Sequence, residues 1–149
     1  MTADKTSLQS TIDFFELKPV RDNQFLVQLG VHFEEFGEML DQLESRNEYD
    51  DFSLGMLREL VRDFSTGLKA GTIDMAVKNE KEFLDSLLDQ IVTAAGTGHY
   101  RGYDMVGGLG EVNSSNMSKT DENGKLILDD NGKIIKGTGY VKPNLERFL

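Results

Sequence analysis

The sequence predicts an all-α fold, a bundle of four to five helices followed by a small C-terminal β-hairpin. Apolar side chains recur at helical spacing through most of residues 7–117. Beyond that point the pattern changes to short apolar runs that alternate with Asn-Gly pairs, which are typical of hairpin turns. A length of 149 residues is enough for one domain with a hydrophobic core. We therefore expect a single domain over residues 1–149, with a helical body at about 7–117 and a hairpin and tail at about 118–149.

Helix breakers and caps set the order of the predicted helices. Pro19 ends the first helix, Ser53 is a candidate N-cap of the third helix, and Gly71 ends that third helix. A glycine-rich segment, 96–102, separates the fourth helix from the fifth. In chain order, the helices are expected at residues 7–17, about 22–44, about 54–70, roughly 73–100 and about 104–117.

The predicted hairpin depends on two near copies in the tail, residues 121–127 and 129–135. Each copy places Asn-Gly before a short apolar run, so strands are expected near 125–128 and 133–136. The copies do not match a calcium-binding EF-hand loop, because the first ligand position, five residues before each glycine, holds Lys119 or Ile127 and not an acid. Turn chemistry explains them instead.

Charge and composition limit the range of functions. The formal net charge is −10, and all of it lies in residues 1–110, because residues 111–149 hold six acids and six bases. This acidity argues against a nucleic-acid polymer as partner, since clustered Lys and Arg bind a phosphate backbone. The chain has no Cys, no apolar run of membrane-spanning length and no signal-peptide core in its first residues. We therefore expect a cytoplasmic protein that does not contact a membrane.

The first candidate site is a group of carboxylates in apolar-periodic, helical sequence. On a helix, Glu35 and Glu38 share a face, and Glu34 neighbours Glu38. Like charges at this spacing repel each other, and the repulsion grows when water is excluded. A divalent cation would convert that repulsion into binding energy.

The second candidate site lies on the predicted fourth helix, where Glu82, Asp85 and Asp89 form a stripe at i, i+3 and i+7. A charge run usually marks a solvated helix face, and for either stripe alone that interpretation stays open. Two such stripes that face each other, with no Lys or Arg nearby, would form an oxygen-rich cage. Such a cage suits Mg²⁺ or Mn²⁺ and metal-assisted phosphoryl chemistry.

A downstream segment carries a family resemblance. Residues 111–119 read EVNSSNMSK, which resembles the EVHxSNMSK segment of the phage and bacterial branch of the all-α NTP pyrophosphohydrolases. That superfamily includes the MazG-like and the phosphoribosyl-ATP pyrophosphohydrolase-like proteins. The order of Glu34-Glu35-x-x-Glu38, a later acidic motif, this segment and an Asp-Gly-Lys-rich tail is similar to that branch as well. The resemblance covers the chain from about residue 20 to its end.

The resemblance implies a Mg²⁺-dependent enzyme that cleaves a (deoxy)nucleoside triphosphate to a monophosphate and pyrophosphate in a bacterial or phage-infected cell. The implied ligands of one or two Mg²⁺ ions, with Mn²⁺ as an alternative, are Glu35, Glu38, Asp85 and Asp89. Glu34 is the implied group that orients or deprotonates the attacking water. The catalytic candidates are therefore Glu34, Glu35 and Glu38.

The second acidic motif departs from the family pattern, Glu-x-x-Asp followed by an apolar run. Alignment on Asp85 supplies Glu82 as the Glu but places Ser86 directly after the aspartate. Alignment on Asp89 keeps the apolar continuation but places Ser86 where the Glu is expected. The Asp89 alignment is preferred because it keeps the family's spacing to Gly96, and Glu82 then becomes an outer or alternate metal ligand.

The expected substrate contacts lie in the C-terminal part of the chain. Lys119 and Lys136 are candidates for phosphate contacts, since a lysine ammonium acts as a mobile point charge. Asn116 is a candidate for contact with the base or ribose, and Tyr140 for stacking on the base. Each also has a structural interpretation: Asn116 as a helix cap, Tyr140 as a core residue and Lys136 as a solvated lysine.

A helical body of this kind would stay poorly buried as a monomer, so we expect a homodimer or a dimer of dimers, as the resemblance also implies. Two other functions stay open. The first is phosphoribosyl-ATP pyrophosphohydrolase, an enzyme of histidine biosynthesis. The second is a non-catalytic acidic helical interaction protein, which Ser86 at the usual Glu position favours.

Overall fold

The computed structural model describes residues 7–129 and 134–149, and the regular structure within them is helical. The all-α class predicted from the sequence is confirmed. None of the helices described has the length and apolar character that a membrane span requires. The helices are α1 (Ser7–Glu16), α2 (Gln24–Asp41), α3 (Glu48–Ala70), α4 (Glu80–Tyr100) and α5 (Met105–Met117), followed by a 3-10 turn at Glu146–Phe148.

The chain divides into two compact units. The α2–α3 unit comprises residues 20–78, and its two helices form an antiparallel pair. The terminal unit combines the chain up to Pro19 with residues 79–149 and contains α1, α4, α5 and the tail. Each unit has its own packing. The single domain expected over residues 1–149 stays a prediction.

In the α2–α3 unit, small residues bring the two helices close together. Gly30 and Gly37 are buried on α2, and the Ser65 hydroxyl of α3 donates to the Gly30 carbonyl at 2.8 Å. A Cβ atom at Gly30 would lie 2.9 Å from the Ser65 carbonyl oxygen, closer than side chains normally approach. Phe33 and Phe64 meet edge to face, with 5.0 Å between ring centroids. This seam determines which face of α2 is left for solvent.

The predicted N-cap of α3 is wrong. The side-chain oxygen of Asn47 accepts the Asp50 backbone N–H at 2.9 Å, so the helix begins at Glu48 rather than after Ser53. Asn in an extended conformation satisfies one of the free N–H groups of a first helical turn as well as Ser does. Ser53 lies inside the helix as an exposed residue.

The predicted start of α4 near residue 73 is also wrong. Ile73 folds back on the end of α3, where its backbone N–H donates to the Gly67 carbonyl at 3.1 Å. A Cβ atom at Gly67 would lie 2.5 Å from the Ile73 side chain, so this glycine makes room for it. Asn79 then caps α4 by accepting the Glu82 N–H at 3.2 Å. Packing against α3 therefore outweighs the helical periodicity of the segment.

In the terminal unit, α1 packs on α5 around a buried amide. Asn113 donates from Nδ2 to the Ser7 carbonyl at 2.7 Å, and its Oδ1 accepts from the Thr11 hydroxyl at 2.9 Å. Phe14 adds the buried apolar contact of α1. Because a buried amide is costly unless it is hydrogen-bonded, these two bonds fix the position of α1 along α5.

The C-terminal tail folds back on α5 of the same unit. Glu111 accepts the backbone N–H of Asn144 at 2.9 Å and a guanidinium N–H of Arg147 at 2.8 Å. The Phe148 carbonyl accepts the backbone N–H of Asp104 at 2.8 Å. One carboxylate thus holds two residues of the tail against the helix.

Acid is expected to release the tail from α5. The Asn144 backbone N–H, with Arg147 as a second contributor, holds the pKa of Glu111 below its ordinary value. A carboxyl with a lowered pKa stabilises the folded state above its unfolded pKa, and the stabilisation is lost as the pH falls through the folded pKa. The NMR resonance of the Asn144 amide should move as the pH falls through that range.

The matched variants for this titration are Glu111→Gln and Glu146→Gln. Glu111→Gln should abolish the pH dependence of the Asn144 resonance, whereas Glu146→Gln, at an exposed position of the tail, should retain it. A titration that persists in Glu111→Gln would show that another group controls the tail.

The predicted β-hairpin, with strands near 125–128 and 133–136, is not formed as a pair of regular strands by the residues described. A run of only a few apolar residues gives a two-stranded ladder too little buried surface to stabilise it in water. The turn at Asn131-Gly132 and residue 133 lie outside the described residues. The isolated antiparallel bridges in this segment pair Thr120 with Leu126 and Leu128 with Ile134.

Candidate functional site

The acidic face of α2 lies beside the seam with α3. Glu34, Glu35 and Glu38 are exposed, whereas Gly30 and Gly37 are buried. Glu34 follows Gly30 by four positions and Glu38 follows Glu34 by four, so the acidic side chains continue from the edge of the seam toward solvent. The α2–α3 unit therefore presents these carboxylates on its surface.

A lysine lies next to this face, which corrects the expectation of carboxylates without a nearby base. Lys69 of α3 places its Nζ atom 2.7 Å from Oε1 of Glu34. The contact lies within the α2–α3 unit and follows from the close approach of α3 to Gly30. Within this unit, Glu34 is therefore fixed by an ion pair, while Glu38 has no ion-pair partner among the described residues.

The second acidic face belongs to the terminal unit. Glu82, Asp85 and Asp89 are exposed on α4, at spacings that put them on one stripe. The Ser86 hydroxyl donates to the Glu82 carbonyl of its own helix at 2.8 Å. Ser86 is thus engaged by the helix backbone, so the carboxylates beside it are the stronger candidates for metal ligands.

The predicted metal ligands are divided between the two units. Glu35 and Glu38 belong to the α2–α3 unit, and the three acids of α4 belong to the terminal unit. Within either unit, the part of the chain that is described holds no group of three or more His, Asp or Glu side chains arranged to bind a metal ion. A metal site built from both faces stays a prediction.

The four candidate substrate residues come together in the terminal unit, at the C-terminal end of α5. Lys119 donates from Nζ to the Asn116 Oδ1 atom at 2.9 Å. Lys136 lies over the Tyr140 ring, with its Nζ 4.6 Å from the ring centroid. A hydrogen bond with the buried Ser115, helped by the positive charges of Lys136 and Lys119, lowers the pKa of the Tyr140 hydroxyl. We call these four candidates together with Ser115 the cationic cluster.

Ser118 docks the tail at this position. Its hydroxyl accepts the backbone N–H of Val141 at 2.9 Å and lies 2.6 Å from the Ser115 carbonyl, to which it donates. The segment that carries the family resemblance is therefore the end of α5 on which the tail folds. This contact brings Tyr140 and Lys136 to Lys119.

The contacts of Asn116, Tyr140 and Lys136 differ from those of a helix cap, a core residue and a solvated lysine. The side chain of Asn116 binds Lys119 instead of capping α5, whose C-cap is Ser118. Tyr140 is half-buried with a hydrogen-bonded hydroxyl, and so it is not a plain core residue. Lys136 is exposed, as a solvated lysine would be, but it contacts an aromatic ring.

Sequence reasoning missed a third lysine at the cationic cluster. Lys18 follows α1 and lies near enough to Lys119 for the two positive charges to repel. Burial, and after it the charge of Lys119, lowers the pKa of the Lys18 ammonium. The sequence gives no signal for this lysine, because only the packing of α1 on α5 brings it to the end of α5.

Comparison of the chain with models of known protein families, with curated proteins and with solved structures yields no match in any of the three. The case for a function therefore depends on the residues and contacts of this chain.

Proposed function

We propose that this protein is a Mg²⁺-dependent nucleotide pyrophosphohydrolase, which cleaves a (deoxy)nucleoside triphosphate to a monophosphate and pyrophosphate. The observation that carries the proposal is the cationic cluster. Lys119 and Lys136 offer two ammonium groups for phosphate oxygens, and the Tyr140 ring offers a surface for a base. The helix bundle of the all-α NTP pyrophosphatase type and a cytoplasmic location belong to the same proposal.

The acidic faces supply the other half of the proposed site. Their donors are carboxylate oxygens, and a ligand set made only of such oxygens suits the hard cations Mg²⁺ and Mn²⁺ better than zinc. The bound metal would neutralise the charge that develops at the α-phosphorus and on the leaving pyrophosphate. The residues that would hold it are Glu35, Glu38, Asp85 and Asp89, with Glu82 as an outer or alternate ligand.

Glu34 is the proposed base of the reaction. Lys69 contacts its Oε1 atom at 2.7 Å and so restrains the carboxylate, which leaves Oε2 to accept a hydrogen bond from the attacking water. This arrangement orients the water without a further side chain. Lys69 is then a positioning residue, because it acts through Glu34.

The test is pyrophosphate release from a panel of dNTPs, NTPs and phosphoribosyl-ATP, with Mg²⁺ or Mn²⁺ and with EDTA as the control. Release from one or more nucleoside triphosphates, lost in EDTA, is the expected result. Turnover of phosphoribosyl-ATP alone would assign the protein to histidine biosynthesis. No release from any compound at high enzyme concentration would reject the catalytic proposal in favour of a non-catalytic acidic interaction protein.

We also propose that the protein forms a homodimer or a dimer of dimers. Large apolar side chains stand exposed in stripes on α3 and α4, at spacings that place each stripe on one helix face. Such stripes are costly in water, and a second copy of the chain would cover them. The exposed side chains are Phe52, Met56 and Leu60 on α3, and Leu84, Leu88, Ile91 and Val92 on α4.

Light scattering at micromolar concentration is expected to give a mass of at least two chains. Leu88→Glu, which places a charge in the α4 stripe, should lower that mass. Thr97→Glu adds the same charge to an exposed position outside the stripe and should leave the mass unchanged. A wild-type mass of one chain would contradict the oligomer.

A further inference from the structure

We infer that Lys18 completes the cationic cluster, so that three ammonium groups bind the polyphosphate chain of the substrate without help from a divalent cation. The inference rests on the proposed function for the identity of the substrate. It adds a residue of α1 to the site, and it separates substrate binding from metal binding. The ligand chemistry is that of a linear polyphosphate, whether free or attached to a nucleoside.

The packing of α1 on α5 brings Lys18 to the cluster. The Thr11–Asn113 hydrogen bond fixes α1 on α5, and Phe14 is buried two residues before the end of α1. Lys18 lies two residues beyond the end of α1, close to Lys119. The position of Lys18 is thus fixed by the core of the terminal unit and not by a flexible segment.

The Lys18 ammonium lies near two phenylalanine rings. Its Nζ atom lies 4.7 Å from the centroid of the Phe15 ring and 5.9 Å from that of Phe14. Ring faces hold a cation in place without neutralising it. The two rings therefore position the Lys18 ammonium, and its positive charge stays available to an anion.

Among the described residues, the lysines of the cluster have no carboxylate counter-charge. In the described ranges, no carboxylate forms an ion pair with Lys18, Lys119 or Lys136. Like charges that lie close enough to repel, as those of Lys18 and Lys119 do, raise the local potential and attract a multivalent anion. A linear polyphosphate carries several negative charges along its length, so it can contact more than one ammonium at once.

The charge of Lys18 also affects the stability of the folded protein. Because the pKa of Lys18 is lowered on folding, the charged lysine destabilises the folded protein at neutral pH. The sign follows from linkage: the unfolded chain binds more protons between the two pKa values, so the free energy of unfolding rises with pH there. Removal of the Lys18 charge should therefore stabilise the folded protein, as expected for a residue that serves binding at a cost in stability.

The experiment is calorimetric titration of the full chain with sodium tripolyphosphate in EDTA at low ionic strength. Wild-type protein is expected to bind, and Lys18→Met to weaken the binding by about tenfold or more, since it removes a charge-assisted hydrogen bond to the phosphate oxygens. Lys18→Arg keeps the charge and should stay close to wild type. Lys125→Met removes the same charge from an exposed position of the tail and should not change the affinity.

Thermal unfolding of the same variants provides the second measurement. Lys18→Met should unfold at a higher temperature than wild type, which a purely structural lysine would not do. Inorganic phosphate and a dNTP, titrated in parallel, separate simple anion attraction from polyphosphate recognition, and orthophosphate should bind more weakly than tripolyphosphate. Equal affinities for the two would contradict the inference.

The outcomes distinguish this inference from the proposed function. Pyrophosphate release with Mg²⁺, together with no tripolyphosphate binding in EDTA, would overturn the inference and leave the proposed function intact. Tripolyphosphate binding that weakens in Lys18→Met, without turnover of any nucleotide, would support the site and reject the enzyme. Unchanged affinity in Lys18→Met would overturn the role of Lys18.

Discussion

Replacement of Glu38 by Gln is expected to lower pyrophosphate release by roughly a hundredfold or more while the helical content stays unchanged. The side chain is exposed on α2, so the fold does not depend on it. Gln keeps the shape of Glu but removes the negative charge that a Mg²⁺ ligand supplies. Such a loss costs several kcal/mol of transition-state stabilisation, which corresponds to orders of magnitude in rate.

The matched control for this variant is Glu44→Gln. Glu44 is an exposed acid of the same unit and follows α2 without belonging to its acidic face. Its replacement removes the same charge and should leave turnover close to wild type. Equal turnover in wild type and Glu38→Gln would remove Glu38 from the list of metal ligands.

A methyl group added at Gly30 is expected to destabilise the α2–α3 unit by roughly 1–2 kcal/mol, as overpacked contacts do. The new Cβ would lie 2.7 Å from the Lys69 side chain and 2.9 Å from the Ser65 carbonyl oxygen. The lysine can move, but the carbonyl belongs to the backbone of α3, so the helices must separate. Separation would weaken the buried hydrogen bond from Ser65 to the Gly30 carbonyl.

Gly55→Ala in α3 is the matched control, and the expected effect has the opposite sign. A Cβ atom at Gly55 meets nothing within 4 Å, so the variant gains helix propensity without a clash. The gain is about 0.5–1 kcal/mol. Urea unfolding followed by circular dichroism measures both variants. A stabilised Gly30→Ala would show that the helices do not approach as closely as described.

The helices could be predicted because their signals are local. Apolar spacing located all five, and Pro19 and Gly71 lie just beyond the ends of α1 and α3. The start of α4 could not be found in this way, because Ile73 continues the apolar pattern but packs on Gly67 of α3. The described residues do not form the predicted pair of regular strands for a related reason. The Asn-Gly signal indicates a turn, but it does not indicate the buried surface that two strands need.

The candidate site was predictable in part. Asn116, Lys119, Lys136 and Tyr140 were named from one segment and its tail, and the contacts of the terminal unit bring them together. Lys18 could not be predicted as a member of the site, because its position depends on a contact between α1 and α5, two helices that are far apart in sequence. The same holds for the ion pair between Lys69 and Glu34, which depends on the α2–α3 seam.

The measurement that tests the central proposal most directly is phosphorus NMR of the products formed from a dNTP, with Mg²⁺, in ¹⁸O-labelled water. Attack at the α-phosphorus predicts a labelled monophosphate and unlabelled pyrophosphate in equal amounts. Orthophosphate with a nucleoside diphosphate would contradict a nucleotide pyrophosphohydrolase, and label in the pyrophosphate would contradict attack at the α-phosphorus.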